Sequence, residues 1–170
     1  DMIKRKSESV EIELNQNIDT INDSLVHDSE RTPRGADRWT EKRLEVKLKN
    51  LSRVISGIGY RYGANPPDLM GVCEVENHTL LERLIVLPAL KPFHYGIVHH
   101  DSPDPRGIDV ALIYRKESLS LLGYRYLDID FGPGDAYRSR DILYALFLVG
   151  GHDTLHIFVN HWPSKYGGVL

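Results

Sequence analysis

The side chains with chemical capacity in this chain sit at the ends of apolar runs. Leu155-His156-Ile157-Phe158-Val159 alternates as a strand does, and Asn160-His161-Trp162-Pro163-Ser164 follows it. Pro163 has no amide hydrogen to donate, so the ladder stops and the strand ends by presenting His161. A histidine titrates near neutrality and can donate to an anion or act as a general acid. The run Asp68-Leu69-Met70-Gly71-Val72-Cys73 leads to Glu74 and Glu76. Alternation puts these two carboxylates on one side while strand geometry lasts. A hard divalent cation such as magnesium takes oxygen ligands of this kind. Glu76 is equally well read as an acid favouring the start of the helix that follows. Asp109 is the one acid in Ile108-Asp-Val-Ala-Leu-Ile-Tyr-Arg115. It is either a buried acid facing Arg106 or a cation, or a strand-end residue near solvent.

Two further clusters invite chemistry. His99-His100-Asp101 suggests zinc, but adjacent strand residues point to opposite faces, and no HExxH or CxxC pattern accompanies them. Solvent-exposed histidines at a strand end are the simpler expectation. Arg138, Arg140 and Asp141 stand at the mouth of the run Ile142–Val149.

The elements that must position these residues follow from periodicity. Residues 9–14 alternate as a strand, with Val10, Ile12 and Leu14 on one face. Residues 15–38 are a long polar loop. Residues 40–58 form the clearest helix: Leu44, Leu48, Leu51, Ile55 and Ile58 make one stripe, and Thr40 is placed to cap it. Lys42, Arg43, Lys47, Lys49 and Arg53 lie off that stripe, as a solvated face or a phosphate-touching one. Residues 68–77 read as a strand buried on both faces. Leu80, Leu81, Leu84 and Ile85 then recur at helical spacing, which makes a strand–turn–helix unit. Strands are expected over His94–His100, Ile108–Arg115 and Ser118–Asp128, with a loop over 129–137. A strand then runs to Val149, Gly150-Gly-His-Asp153 turns, and the last strand covers 154–161. The second half is thus a run of antiparallel strands, with no visible domain boundary or repeat.

Bulk properties set limits. A chain of 170 residues can bury one real core. A net charge of −3 gives no basic excess, which argues against a protein held on nucleic acid by long-range attraction, though a small cleft could still hold phosphate. One cysteine, Cys73, rules out an internal disulfide framework. No apolar run approaches the ~20 residues of a membrane span. The charged N-terminus lacks the apolar middle of a signal peptide.

Four motifs in order carry a resemblance: Gly71-Val-Cys-Glu74-Val-Glu-Asn77, Arg106-Gly-Ile-Asp109-Val-Ala-Leu-Ile-Tyr114, Ser139-Arg140-Asp-Ile-Leu143 and Asn160-His161-Trp-Pro-Ser164-Lys-Tyr-Gly-Gly168. Together they resemble the endonuclease/exonuclease/phosphatase superfamily, the deoxyribonuclease-I-like fold, from about residue 19 onward. The resemblance implies a four-layer α/β/β/α sandwich (α/β, α+β) with its site at one edge. It implies hydrolysis of phosphate esters, nucleic acid among them, with Mg2+ or Mn2+. By the same resemblance Glu74 is the metal-binding glutamate, His161 contacts the scissile phosphate, and Arg140 is phosphate-facing or site-organising. Asp109 lies in the family's middle strand.

Two departures limit the match. The family's Asn-x-x-Asn motif meets Glu13-Leu14-Asn15-Gln16-Asn17 here, and only a shifted register makes Asn15 a metal ligand. The strings Gly-Asp-x-Asn and Ser-Asp-His, which in the family bring further ligands and the general base, do not occur in 1–170. The chain therefore reads as the N-terminal part of one such domain. Two functions compete with a zinc hydrolase as the weakest third. One is a metal-dependent phosphoesterase in the full-length protein. The other is a catalytically incomplete fragment that self-associates through an exposed sheet face.

Overall fold

The computed structural model describes residues 32, 34–60, 63, 65–104, 107–129 and 140–162. The strand expected over 9–14, Asn15, most of the loop over 15–38, Arg106, the loop over 130–137 and the run after Trp162 lie outside them. Two compact units divide the chain, Asp1–Val46 and Lys47–Leu170.

In the first unit the amide of Gly35 donates to the carbonyl and the hydroxyl of Thr32, at 3.1 and 2.9 Å. Trp39 donates to the same carbonyl. The Arg43 guanidinium lies over the Trp39 ring and donates to the carbonyls of Asp37 and Arg38. Helix α1, Glu41–Gly57, starts where expected, and the Thr40 hydroxyl accepts from the Arg43 amide at 3.4 Å. Its buried stripe differs from the expected one: Leu48, Ser52 and Ile55 are buried, whereas Leu51 and Ile58 are exposed. Ser52 is tolerated there because its hydroxyl donates to the carbonyl of Lys49.

The second unit holds two antiparallel sheets. Strands β1 (Leu69–Val75), β2 (Tyr95–His99) and β3 (Asp109–Arg115) form one, in the order β1-β3-β2. Strands β4 (Leu119–Leu127), β5 (Ile142–Val149) and β6 (Asp153–Val159) form the other in sequence order. Helix α2, His78–Ile85, lies against β1 and β2, with Leu81 and Leu84 buried and the Asn77 side chain accepting from the Leu80 amide. Val98, Val110 and Leu112 of the first sheet pack on Leu143, Ala145, Phe147 and Val159 of the second. This is an α+β fold, with the two β layers of the expected sandwich and a helix outside the first. The β5–β6 turn is as expected, with Gly150 and Gly151 at φ 60° and 80°.

One strand assignment needs correction. The run Leu69–Val75 was expected to be buried on both faces, yet among the described residues β1 is an edge strand with only Val75 buried. The doubly buried strand is β3, which has a neighbour on each edge and lies between the second sheet and the helix layer. Both runs are continuously apolar, so composition does not say which is central.

Two close approaches hold the layers. A Cβ on Gly71 would lie 3.3 Å from both Val159 methyl carbons, so β1 comes near β6. A Cβ on Gly96 would lie 2.6 Å from the ring of Tyr114, its cross-strand partner, and that ring is backed by Phe147. Gly96→Ala should therefore cost about 1–3 kcal/mol by overpacking, read as a lowered urea midpoint with unchanged slope.

Beneath α2 lies a polar network. Residues Val110 and Leu112 face the second sheet, so Asp109 faces the helix side, where His99 meets the His78 ring. Asp109 accepts from the amide and hydroxyl of Ser102 at 2.8 and 2.6 Å, and its other oxygen lies 3.2 Å from His99 Nε2. Burial alone would raise the Asp109 pKa, but the bonds from His99 and Ser102 outweigh it and hold the carboxyl below its ordinary 3.8. A group with a depressed folded pKa contributes stability above its unfolded pKa and loses it as pH falls through the folded one. Asp109→Asn should thus be less stable than the parent by about 1–3 kcal/mol near neutral pH. Chemical denaturation should show that deficit shrinking only as pH drops below 3.8.

Candidate active site at one end of the sandwich

Antiparallel pairing brings the ends of β1, β2, β4 and β6 together with the starts of β3 and β5. Val75 pairs with Asp109 and His99 with Ala111 in the first sheet. Leu127 pairs with Ile142, and Leu143 with Val159, in the second. Glu74, His99, His100, Asp109, Arg140, Asp141 and His161 therefore collect at one end of the unit.

Glu74 owes its direction to a break in the ladder. Cys73 pairs with Val110 and Val75 with Asp109, so Glu74 is an extra residue between them, at φ 58°. Strict alternation would have turned it from the face that Cys73 shares with Val110. The bulge instead brings its Oε1 to 3.9 Å from Nε2 of His161, which lies just past the end of β6. Beside this contact, the Cys73 thiol lies 3.9 Å from the carbonyl of Asn160. A left-handed backbone at a non-glycine residue costs on the order of 1–2 kcal/mol. The shared side expected for Glu74 and Glu76 does not survive the bulge, and Asn77, not Glu76, caps α2.

The Glu74 carboxylate is more than half exposed, and His161 about one quarter exposed. Among the described residues no hydrogen bond to the carboxylate is formed, so its oxygens remain open to a cation. His161 Nδ1 is buried without a partner, which leaves Nε2 as the nitrogen facing the cleft. An exposed carboxylate at a cleft mouth fits Mg2+, which keeps several waters and takes one or two carboxylates. His99, Asp101 and Asp109 also bring ligand atoms within 4.8 Å of one another. There, however, both Asp109 oxygens already accept hydrogen bonds.

Asp109 and Arg140 are both buried, as one of the two readings of Asp109 has it. Asp109 is buried, not near solvent, and its partners are His99 and Ser102; it does not face the Glu74–His161 cleft. Arg140 is buried too, and its Nη1 donates to Asp104 at 2.8 Å, with both side chains 2% exposed or less. Its guanidinium is thus paired in the interior. His99 is likewise buried, contrary to the expectation of exposed histidines. Ser102 and Asp104 gave no signal in sequence, because turn formers in Asp101–Gly107 read as loop and nothing more.

His100 and His99 do point to opposite faces. His100 Nε2 lies 3.8 Å from Asp141 Oδ2, and its ring sits on Tyr126 with centroids 4.6 Å apart. Burial raises the Asp141 pKa; His100 opposes this, while the charges of Asp128 and Asp109 add to it. Burial likewise pushes the Tyr126 phenol well up, and its hydroxyl has no partner.

Comparisons with known proteins bear on this end of the molecule. No curated protein matches the chain. Among solved structures, it is similar to humanized D. rerio TDP2 with 14 mutations, at 17% identity and TM-score 0.49, over 74% of this chain and 44% of that one. It is also similar to D. rerio TDP2 complexed with single strand DNA product, at 16% identity and TM-score 0.48, over 71% and 42%. A third is ANGEL2, a 2',3'-cyclic phosphatase, at 16% identity and TM-score 0.44, over 68% and 30%. The chain spans less than half the length of each. One sequence family matches over residues 10–170, nearly the whole chain, and with that the chain belongs to the endonuclease/exonuclease/phosphatase family.

Proposed function

We propose that the full-length protein is a divalent-metal-dependent phosphoesterase, with Glu74 and His161 at its centre. The observation that carries this is the bulge that turns Glu74 across the sandwich to face His161 at 3.9 Å. Glu74 would hold Mg2+ or Mn2+, and Asn15 is proposed as a further ligand on the resemblance alone. When bound, the cation polarises a phosphoryl oxygen and steadies the leaving oxygen. His161 Nε2 donates to a non-bridging phosphate oxygen, where negative charge rises during attack. Arg140, through Asp104, and Asp109, through Ser102, hold the loop beside the cleft in place. The substrate is a phosphate ester, and a nucleic acid is one such substrate. Residues 1–170 contain neither Gly-Asp-x-Asn nor Ser-Asp-His, so by themselves they are expected to be inactive.

A second reading rests on a separate observation. On the outer side of the second sheet, Phe158 is exposed and stacked on Tyr144 with centroids 4.9 Å apart. Such a face supports association between chains. In sedimentation equilibrium, residues 1–170 should self-associate, and Phe158→Asp should weaken that; a monomer at all concentrations would refute this reading. No helix among the described residues is long and apolar enough to cross a membrane.

The main reading is tested in the full-length protein. Glu74→Ala and His161→Ala should each lower magnesium-dependent hydrolysis of a phosphodiester by about 100-fold or more. Titration with Mn2+ should show weakened binding for Glu74→Ala and parental binding for His161→Ala. Parental hydrolysis by both variants would overturn the assignment.

A further inference from the structure

The cleft holds a second histidine–carboxylate pair. Asp141 lies two residues before Leu143 and His161 two residues after Val159, and Leu143 pairs with Val159. Asp141 and His161 thus lie just beyond the last paired residues of β5 and β6. Asp141 is the carboxylate that His100 meets. His100 reaches it from the first sheet, Nε2 to Oδ2 at 3.8 Å. Its ring is about half exposed, and its underside is fixed by Tyr126. With Nε2 turned to Asp141, Nδ1 is the nitrogen free to meet a ligand among the described residues.

We propose that His100 is the proton donor to the leaving oxygen of the phosphate ester, and that Asp141 and Tyr126 are its positioning residues. This rests on the phosphoesterase reading above. The water oxygen forms the new bond to phosphorus, and the bond from phosphorus to the leaving oxygen breaks. That bond's electron pair takes the proton from His100 Nδ1, so the leaving group departs as a neutral alcohol. The attacking water releases one proton to solvent, and His100 recovers one from solvent. His161 is turned to the Glu74 side and donates to an oxygen that stays on phosphorus. The two histidines therefore divide the work. Tyr126 and Asp128 are the other titratable groups of the second sheet around Asp141, and the raised phenol keeps Tyr126 neutral.

Leaving-group dependence tests this in the full-length protein. A nitrophenolate leaves without protonation, whereas an alkoxide does not. Hydrolysis of the dinucleotide TpT would be compared with that of thymidine 5'-(4-nitrophenyl phosphate). For His100→Gln, the loss on TpT should exceed the loss on the nitrophenyl ester by about 100-fold. Asp141→Asn, which keeps the shape, should shift the same ratio in the same direction by less. Equal losses on both substrates, or none, with hydrolysis still dependent on Glu74, would overturn the role of His100 and leave the phosphoesterase reading standing. If the parent hydrolyses neither ester, the reading and the proposal fall together.

Discussion

Gly71 leaves no side chain between its backbone and the methyl groups of Val159, and this absence sets the spacing of β1 and β6. The contacts between the end of β1 and the residues after β6 lie beside this close approach. Cys73 reaches the Asn160 carbonyl two residues further on, and Glu74 reaches His161 in the next step. A side chain at position 71 would press on the Val159 methyl groups and change that spacing. The two sheets hold each other through aliphatic burial at Val110, Leu112, Leu143 and Phe147, and the site is the place where that packing ends. The apolar interior is what lets polar groups stand at a fixed separation without hydrogen bonds tying them together.

The segment from His99 to Asp104 fastens this end. His99 and Ser102 bind the buried Asp109, while His100 leans on Asp141 and Asp104 takes Arg140. Residues five apart in sequence thereby engage both sheets and the helix layer. Buried charges are tolerated here because each has a partner; removing one would leave the other unpaired at a cost of about 3–5 kcal/mol. A loop held by such pairs is a rigid base for His100, which a loop of solvated turn formers would not be.

Much of this was legible in the sequence. The period of Leu155–Val159 marked the last strand, which ends at Val159, two residues before His161 and short of the expected 161. The strand–helix unit around Glu74 and the five later strands were visible from the apolar runs. What escaped was direction. A bulge has no signature in Gly71-Val-Cys-Glu-Val, so the face of Glu74 could not be read from period two. Partner identity escaped as well: Asp109 needed a partner, but Ser102 and His99 supply it, and only the folded loop brings them there. The α1 stripe was misjudged by a small rotation, because Ser52, satisfied by the Lys49 carbonyl, can be buried as readily as Leu51. Hydrophobicity ranks residues; it does not know which polar ones the backbone can content.

The left-handed backbone at Glu74 also bears on how such a chain changes over generations. Glycine adopts that conformation without strain, so replacing Glu74 by glycine would relieve the bulge while deleting the carboxylate. Backbone strain and the presence of a carboxylate therefore pull in opposite directions at this one position. Under selection for folding alone the residue would drift toward glycine; an acid persists in so unfavourable a backbone where something selects for its charge.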